Sequence, residues 1–315
     1  MTDRDLPRFD DHPGAWLGPD MAAHPERWVW QLSDRHVAEL DATVARLGGA
    51  DIDPGAVEIA KLRLWLSLVV DEDDIQQIKP LPNLDYKIVG GNSLMGVEPD
   101  LDSLPAFARL EKLKPLHFDE TNPGKKQDYR REIDTLIARL TRNKKVFDFH
   151  IYFSEIFHSK DGKHGFDVVI ANPPYIGESG HKELFRKTKE GPLAEFYLGK
   201  MDYFYFFFHL ALNLAGPHGE IAFITTNYYL TATGARKLRA DFKRRALIRR
   251  LINFNELRIF ESALGQHNIV TMLRKGAGDG PVQTCVTNRT GQANPQVLSC
   301  ILRWNDDDSR YYEVP

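Results

Sequence analysis

Cysteine is nearly absent from this chain. Cys285 and Cys300 are the only two in 315 residues and form no CxxC pair, which argues against a disulfide-stapled secreted scaffold. Long apolar runs are missing too. The most aromatic stretch, Tyr203 to Phe208, is followed at once by His209 and falls far short of the ~20 residues that a membrane helix needs. The opening Met1-Thr2-Asp3-Arg4-Asp5 has no apolar signal core. These absences predict a cytoplasmic protein with no membrane partner. An excess of positive charge is also lacking: the net charge is −3. A dedicated DNA-binding domain is often basic overall, so the total alone is mildly against nucleic acid.

What is present fits a globular chain, 42% hydrophobic and 27% charged, with material for one large or two modest domains. Ser33-Asp34 is a helix start for an amphipathic run, Val37 to Leu47. Pro54 opens a second helix, and Tyr86 to Val89 reads as a strand. Asn122-Pro123-Gly124-Lys125 is a predicted turn between helices. Further strands are predicted at Asp167–Ala171, Glu220–Thr225, Ala246–Phe254 and Asn268–Arg274. A helix over about 201–215 is closed by Gly216-Pro217-His218-Gly219. Alternating strands and helices predict an α/β fold with a mainly parallel sheet. Ligands then bind at the carboxyl ends of strands, where Asn92 and Asn172 fall.

One tetrapeptide stands out. The apolar run Phe166 to Ala171 ends in Asn172-Pro173-Pro174-Tyr175. Chance would produce these four residues in about one chain in a thousand of this length. The set suits an exocyclic amino group on a planar base. Such an amine is a poor nucleophile, because its lone pair is delocalised into the ring. A catalyst must accept hydrogen bonds from both N–H groups. The Asn172 side-chain oxygen can accept one and the Pro173 carbonyl the other. Two prolines stiffen the loop, and the Tyr175 ring can stack on the base. The bland use of the same residues is a stiff turn that closes a buried strand.

With this loop the chain resembles the adenine-specific (N6) DNA methyltransferases of type II restriction–modification systems, over about 51–315. Other blocks carry the likeness. Asp51 to Leu66 is similar to the family's second cofactor block, and Ile88-Val89-Gly90-Gly91-Asn92-Ser93-Leu94 to the third. Phe147 to His150 with Phe153 to Phe157 resembles the approach to the catalytic loop. Asn227-Tyr228-Tyr229-Leu230 and Phe260 resemble later blocks lining the base pocket. The resemblance implies a Rossmann-like sheet binding S-adenosylmethionine, with no metal, and double-stranded DNA as substrate. It implies Asp51 on the ribose, Asn92 and Ser93 at the cofactor's adenine, and Tyr175 with Phe260 around an extruded base. Asp51 would equally serve as a helix cap, Asn92 as a turn residue and Phe260 as an ordinary core aromatic. Basic clusters at 182–189 and 236–250 supply candidates for DNA phosphates: Lys187, Arg244 and Arg245. Solvated helix faces would look the same.

The family's first cofactor block, a strand and a glycine-rich turn, has no counterpart before Asp51. Leu47-Gly48-Gly49-Ala50 is a poor strand. The sheet is therefore expected to be incomplete at its N-terminal side. Residues 1–50 are read as a helical segment of different origin, 51–275 as the catalytic domain and 276–315 as the start of a truncated target-recognition region. Trp28 to Asp34 with Glu39-Leu40-Asp41 weakly resembles the leader of TauD/TfdA-type 2-oxoglutarate dioxygenases. His117-Phe118-Asp119 has the spacing of their Fe(II) ligands. Two further readings follow: an iron dioxygenase, or a catalytically inactive fragment that at most binds DNA or a partner.

Overall fold

The computed structural model describes residues 49–69, 84–96, 103–142, 147–157, 164–260, 266–278 and 280–315. The predicted helix Val37–Leu47 and the tryptophan-rich leader lie outside them. The described residues form two compact units, one of 49–165 with 186–195 and one of 166–185 with 196–315.

In the first unit, β1 (Gly49–Asp51) pairs in parallel with β2 (Ile88–Gly90), Asp51 opposite Gly90. The sequence argued against a strand here. Backbone groups make it: Gly49 N–H donates to the Lys87 carbonyl and Gly91 N–H to the Asp51 carbonyl, each at 2.8 Å. A ladder this short needs no apolar side chains. Helix α1 (Pro54–Val69) follows, with Pro54 at the start and the Asp53 carboxylate accepting from Gly55 N–H at 2.8 Å.

Helices α2 (Leu104–Asp119) and α3 (Pro123–Leu140) pack through Leu110, Leu113, Ile133 and Ile137. The predicted turn between them is half helix. Asn122 is the cap, accepting from the N–H groups of Gly124 and Lys125, and Pro123 is the first helical residue. Short helices α4 (Phe149–Tyr152) and α5 (Ser154–Phe157) complete this half. Glu155 joins two elements, accepting from Lys87 at 3.0 Å and from Lys114 of α2 at 3.2 Å. Lys114 is buried and also donates to the carbonyls of Ile151 and Tyr152. Burial lowers its pKa. Burial also pushes Glu155 up, but the two lysines outweigh it and hold the carboxyl below its usual range.

The iron reading fails on α2. His117 and Asp119 are two residues apart on one helix, and at 3.6 residues per turn they point to nearly opposite sides. His117 is buried, its ring edge-on to Tyr86 at 5.2 Å between centroids, whereas Asp119 is exposed. They cannot converge on one ion. Among the described residues no cluster of three or more His, Cys, Asp or Glu side chains could hold a metal.

The second unit is built on a six-stranded sheet. Helix α6 (Lys182–Lys189) divides between the two units at 185/186. The strands of the second unit, with the other helices between them, are β3 (Phe166–Ala171), α7 (Phe204–Leu214), β4 (Ala215–Thr226), α8 (Arg236–Arg245), β5 (Ala246–Asn253), β7 (Asn268–Lys275), β8 (Val282–Thr287), α9 (Pro295–Leu302) and β10 (Ser309–Val314). The short β6 (Leu257–Arg258) and β9 (Gly291–Gln292) pair separately. The order is β10-β8-β5-β7-β4-β3. The expected mainly parallel sheet is mixed. β3–β4 and β5–β8 are parallel, but β7 runs back between β4 and β5, and β10 runs back against β8. β7 follows β5 with no crossover helix among the described residues of the connection, which permits the antiparallel pairing. The boundary expected at 275/276 falls inside this sheet, since β8 and β10 extend it. β3 is its edge strand, with Val168 and Ile170 exposed. The β1–β2 pair of the other unit is a two-stranded sheet of its own.

α7 is mostly apolar and mostly buried, with Asn213 its one exposed residue and His209 among its buried ones. Phe204, Phe206 and Phe208 are fully buried, and Phe208 lies 4.7 Å from Phe223 of β4 between ring centroids. The helix ends at Leu214 because Gly216-Pro217-His218-Gly219 follows. His218 takes φ 63°, and a Cβ on Gly219 would sit 2.7 Å from the Phe166 carbonyl. Packed between α7 and α8 is a buried ionic cluster. His209 Nδ1 lies 2.6 Å from Asp241 Oδ2, and Arg244 and Arg245 both donate to the same carboxylate. The His209 ring stacks on Phe196 at 3.8 Å.

Candidate active site

β3 ends at Ala171, which pairs with Phe223 of β4. The chain then leaves the sheet as Asn172-Pro173-Pro174-Tyr175. Proline cannot donate to a ladder, so the strand has to stop here. Asn172 and Pro174 are exposed, Pro173 is buried and Tyr175 is half-buried. β4 continues past the end of β3. Its next residue, Ile224, has no partner on that side, and its carbonyl oxygen lies 3.0 Å from the Tyr175 hydroxyl. The same hydroxyl lies 2.9 Å from Asn172 Oδ1. The Tyr175 ring packs edge-on against Phe204 of α7 at 6.1 Å. Burial pushes the Tyr175 phenol up to about 12, so it stays protonated at ordinary pH. The loop is thus pinned at one end by the strand and at the other by the phenol, which contacts the amide of the exposed Asn172.

Sequence reasoning missed two members of this neighbourhood. One is the Ile224 carbonyl, since a backbone group leaves no mark in a sequence. The other is Asn268, opposite Thr226 at the start of β7. It is 1% exposed, and its side chain lies beside the Tyr175 phenol, whose pKa it pulls down against the effect of burial. An asparagine in a strand-like run was the available signal, because such burial is costly without a partner.

The Asn227–Leu230 block divides. Tyr229 is buried and shares a 2.7 Å hydrogen bond with Thr271, so it belongs to the core and not to a pocket wall. Tyr228 and Leu230 are exposed. Asn227 donates to Asn253 Oδ1 at 3.1 Å. Phe260 is half-buried.

In the other unit, Asp51 and Asn92 lie at the carboxyl ends of the adjacent parallel strands β1 and β2. Asp51 Oδ1 accepts from Asp53 N–H at 2.8 Å, which leaves Oδ2 for a hydroxyl donor. Asn92 Oδ1 accepts from Leu94 N–H at 3.1 Å, which leaves its NH2 as donor. Ser93 is half-buried beside it. Gly91 is obligatory, because a Cβ there would lie 2.4 Å from the Phe147 Cβ. Two strand ends carrying an acceptor and a donor fit a nucleoside.

The basic candidates separate by environment. Lys187 on α6 is exposed, and the Arg244 side chain is 67% exposed. Arg245 is engaged inside, with Asp241, with Asn213 at 2.6 Å and over the Phe196 ring. Arg239 is likewise engaged, donating to the carbonyls of Tyr229 and Ala232.

An α/β sheet with such a loop at a strand's carboxyl end is the frame of a methyltransferase of the restriction–modification type. The chain belongs to the Eco57I restriction-modification methylase family, whose model matches residues 46–260. It is 45% identical over 67 residues to a Methanocaldococcus jannaschii protein described as a type II restriction enzyme and methyltransferase, a match spanning 20% of this chain and 6% of that one. It is 30% identical over 97 residues to the type II methyltransferase M.HincII of Haemophilus influenzae, 30% of this chain and 19% of that one. The matched stretches are thus small parts of these relatives. Among solved structures, a DrdV–DNA complex is similar over 85% of this chain and 24% of that one, at 12% identity and a TM-score of 0.46. No helix among the described residues is long and apolar enough to cross a membrane.

Proposed function

We propose that the chain transfers a methyl group from S-adenosylmethionine to the N6 amine of adenine in double-stranded DNA, in the cytoplasm. The observation that carries this is the exposed Asn172 amide, held at the end of β3 by a stiff Pro-Pro segment. S-adenosylmethionine supplies an electrophilic methyl group. Asn172 and the Pro173 carbonyl accept from the two N6 hydrogens and draw the lone pair out of conjugation. That lone pair takes the methyl carbon as the carbon–sulfur bond breaks, and N6 sheds one proton to solvent. Tyr175 and Phe260 hold the extruded base, while Lys187 and Arg244 meet phosphates. Arg245 enters only by reinforcing α8. Asp51, Asn92 and Ser93 hold the nucleoside half of the donor. Incubation with radiolabelled donor and duplex DNA, followed by digestion to nucleosides, tests the reading. Label is expected in N6-methyladenine. Label in cytosine, or none at all, overturns it.

Donor affinity is expected to be low. The sequence offers no glycine-rich turn for the methionine half, whose close approach needs residues without side chains. Calorimetric titration with S-adenosylmethionine should give a dissociation constant well above about 1 μM, the level worth ~8 kcal/mol. Tighter binding would mean that another segment does the work of the first block.

A further inference from the structure

We propose that the Tyr175 hydroxyl is a positioning group that sets which face of the Asn172 amide meets the substrate amine. The proposal rests on the methylation reading and deepens it. The hydroxyl has one proton and three polar neighbours, Ile224 O at 3.0 Å, the Asn172 amide at 2.9 Å and the Asn268 side chain, which lowers the phenol's pKa and so acts toward it as a donor. A main-chain carbonyl can only accept. The Ile224 carbonyl lies past the end of β3, so no β3 amide serves it. It therefore takes the hydroxyl proton. The Asn172 amide must then be the donor toward the hydroxyl, which turns its NH2 to Tyr175 and its oxygen outward. Rotation of the amide by half a turn keeps both contacts, since oxygen and nitrogen are equivalent in shape.

In that state Ile224 O, the hydroxyl and the amide NH2 each have a partner. On the Asn172 amide the group left over is Oδ1, an acceptor, which is the group the substrate amine requires. The opposite orientation would spend that oxygen on Tyr175 and present two donors to an amine that also donates. Tyr175 is held for this task by Phe204 against its ring, and burial keeps its phenol protonated. The stacking role of the ring and the orienting role of the hydroxyl are separable, because phenylalanine retains only the first.

The test is Tyr175→Phe in the full chain, with two readouts. In steady-state methylation of duplex DNA, kcat is expected to fall about 10- to 100-fold, the scale of a misplaced catalytic group, while KM for DNA stays within twofold. The second readout is the side-chain NH2 pair of Asn172 in a 15N spectrum, identified by its loss in Asn172→Ala. Its signals should shift in Tyr175→Phe as the hydroxyl acceptor disappears. Unmoved amide signals overturn the proposal whatever the rate does, and an unchanged kcat overturns the positioning role even if the signals move. Absence of N6-methyladenine from the unsubstituted chain is a different failure. It removes the methylation reading and the positioning role, while the spectrum still decides the orientation of the amide.

Discussion

Asn172→Ala is expected to lower methyl transfer by at least about 10²- to 10³-fold, the range seen when one preorganised hydrogen-bonding group is taken from a reacting centre. In the proposed reaction the Asn172 oxygen matters most as charge develops on N6, so the loss should appear in kcat more than in KM. Asn172 is exposed and lies outside the core. Its removal should therefore leave the unfolding midpoint and the affinity for S-adenosylmethionine close to those of the unsubstituted chain. Single-turnover transfer to duplex DNA, with donor binding followed in parallel by calorimetry, checks both halves. Near-normal turnover would show that the Asn-Pro-Pro-Tyr loop is only a turn after β3.

The second large effect is on stability. Asp241→Asn is expected to destabilise the fold by about 3 kcal/mol, the lower end of the range for breaking a buried pair, because Arg244 reaches solvent. Asp241 is 4% exposed and serves His209, Arg244 and Arg245 together. Burial alone would raise its pKa. The hydrogen bonds from His209, Arg245 and Arg244 outweigh that and hold the carboxyl well below its usual range. A depressed carboxylate pKa contributes stability that is full above its unfolded value, near 4, and is lost as pH falls through the folded value. Urea midpoints should therefore drop steeply for the unsubstituted chain as pH falls below about 4. Those of Asp241→Asn should be lower at neutral pH and flatter in acid. Equal midpoints at pH 7 would show that the cluster contributes nothing net.

Four strands of the second unit, β3, β4, β5 and β7, and the helix α7 were legible because each is patterned; β8, α9 and β10 were not anticipated. Phe166–Ala171, Asn268–Lys275 and the aromatic helix Phe204–Leu214 lie within a few residues of their predicted bounds. Strand direction was not legible. The reversal of β7 between β4 and β5 leaves no trace in a period-2 pattern, since a strand buries the same face whichever way it runs. β1 was missed for a related reason: three residues paired through backbone alone carry no apolar signature. His117-Phe118-Asp119 misled in the opposite sense. A two-residue spacing brings side chains to one side only in a strand, and this segment is helix.

By itself the sequence determined which groups the loop at Asn172 carries, because an amide oxygen, a proline carbonyl and an aromatic ring in fixed order are properties of covalent structure. It also determined the family, through blocks whose order survives in one dimension. Only the tertiary structure decided what each of those groups faces. It placed the Ile224 carbonyl under Tyr175, turned Arg245 inward to Asp241, and put Tyr229 in the core. Such pairings join residues tens of positions apart through backbone direction and packing. A hydrogen bond depends on a few tenths of an ångström that no residue order encodes.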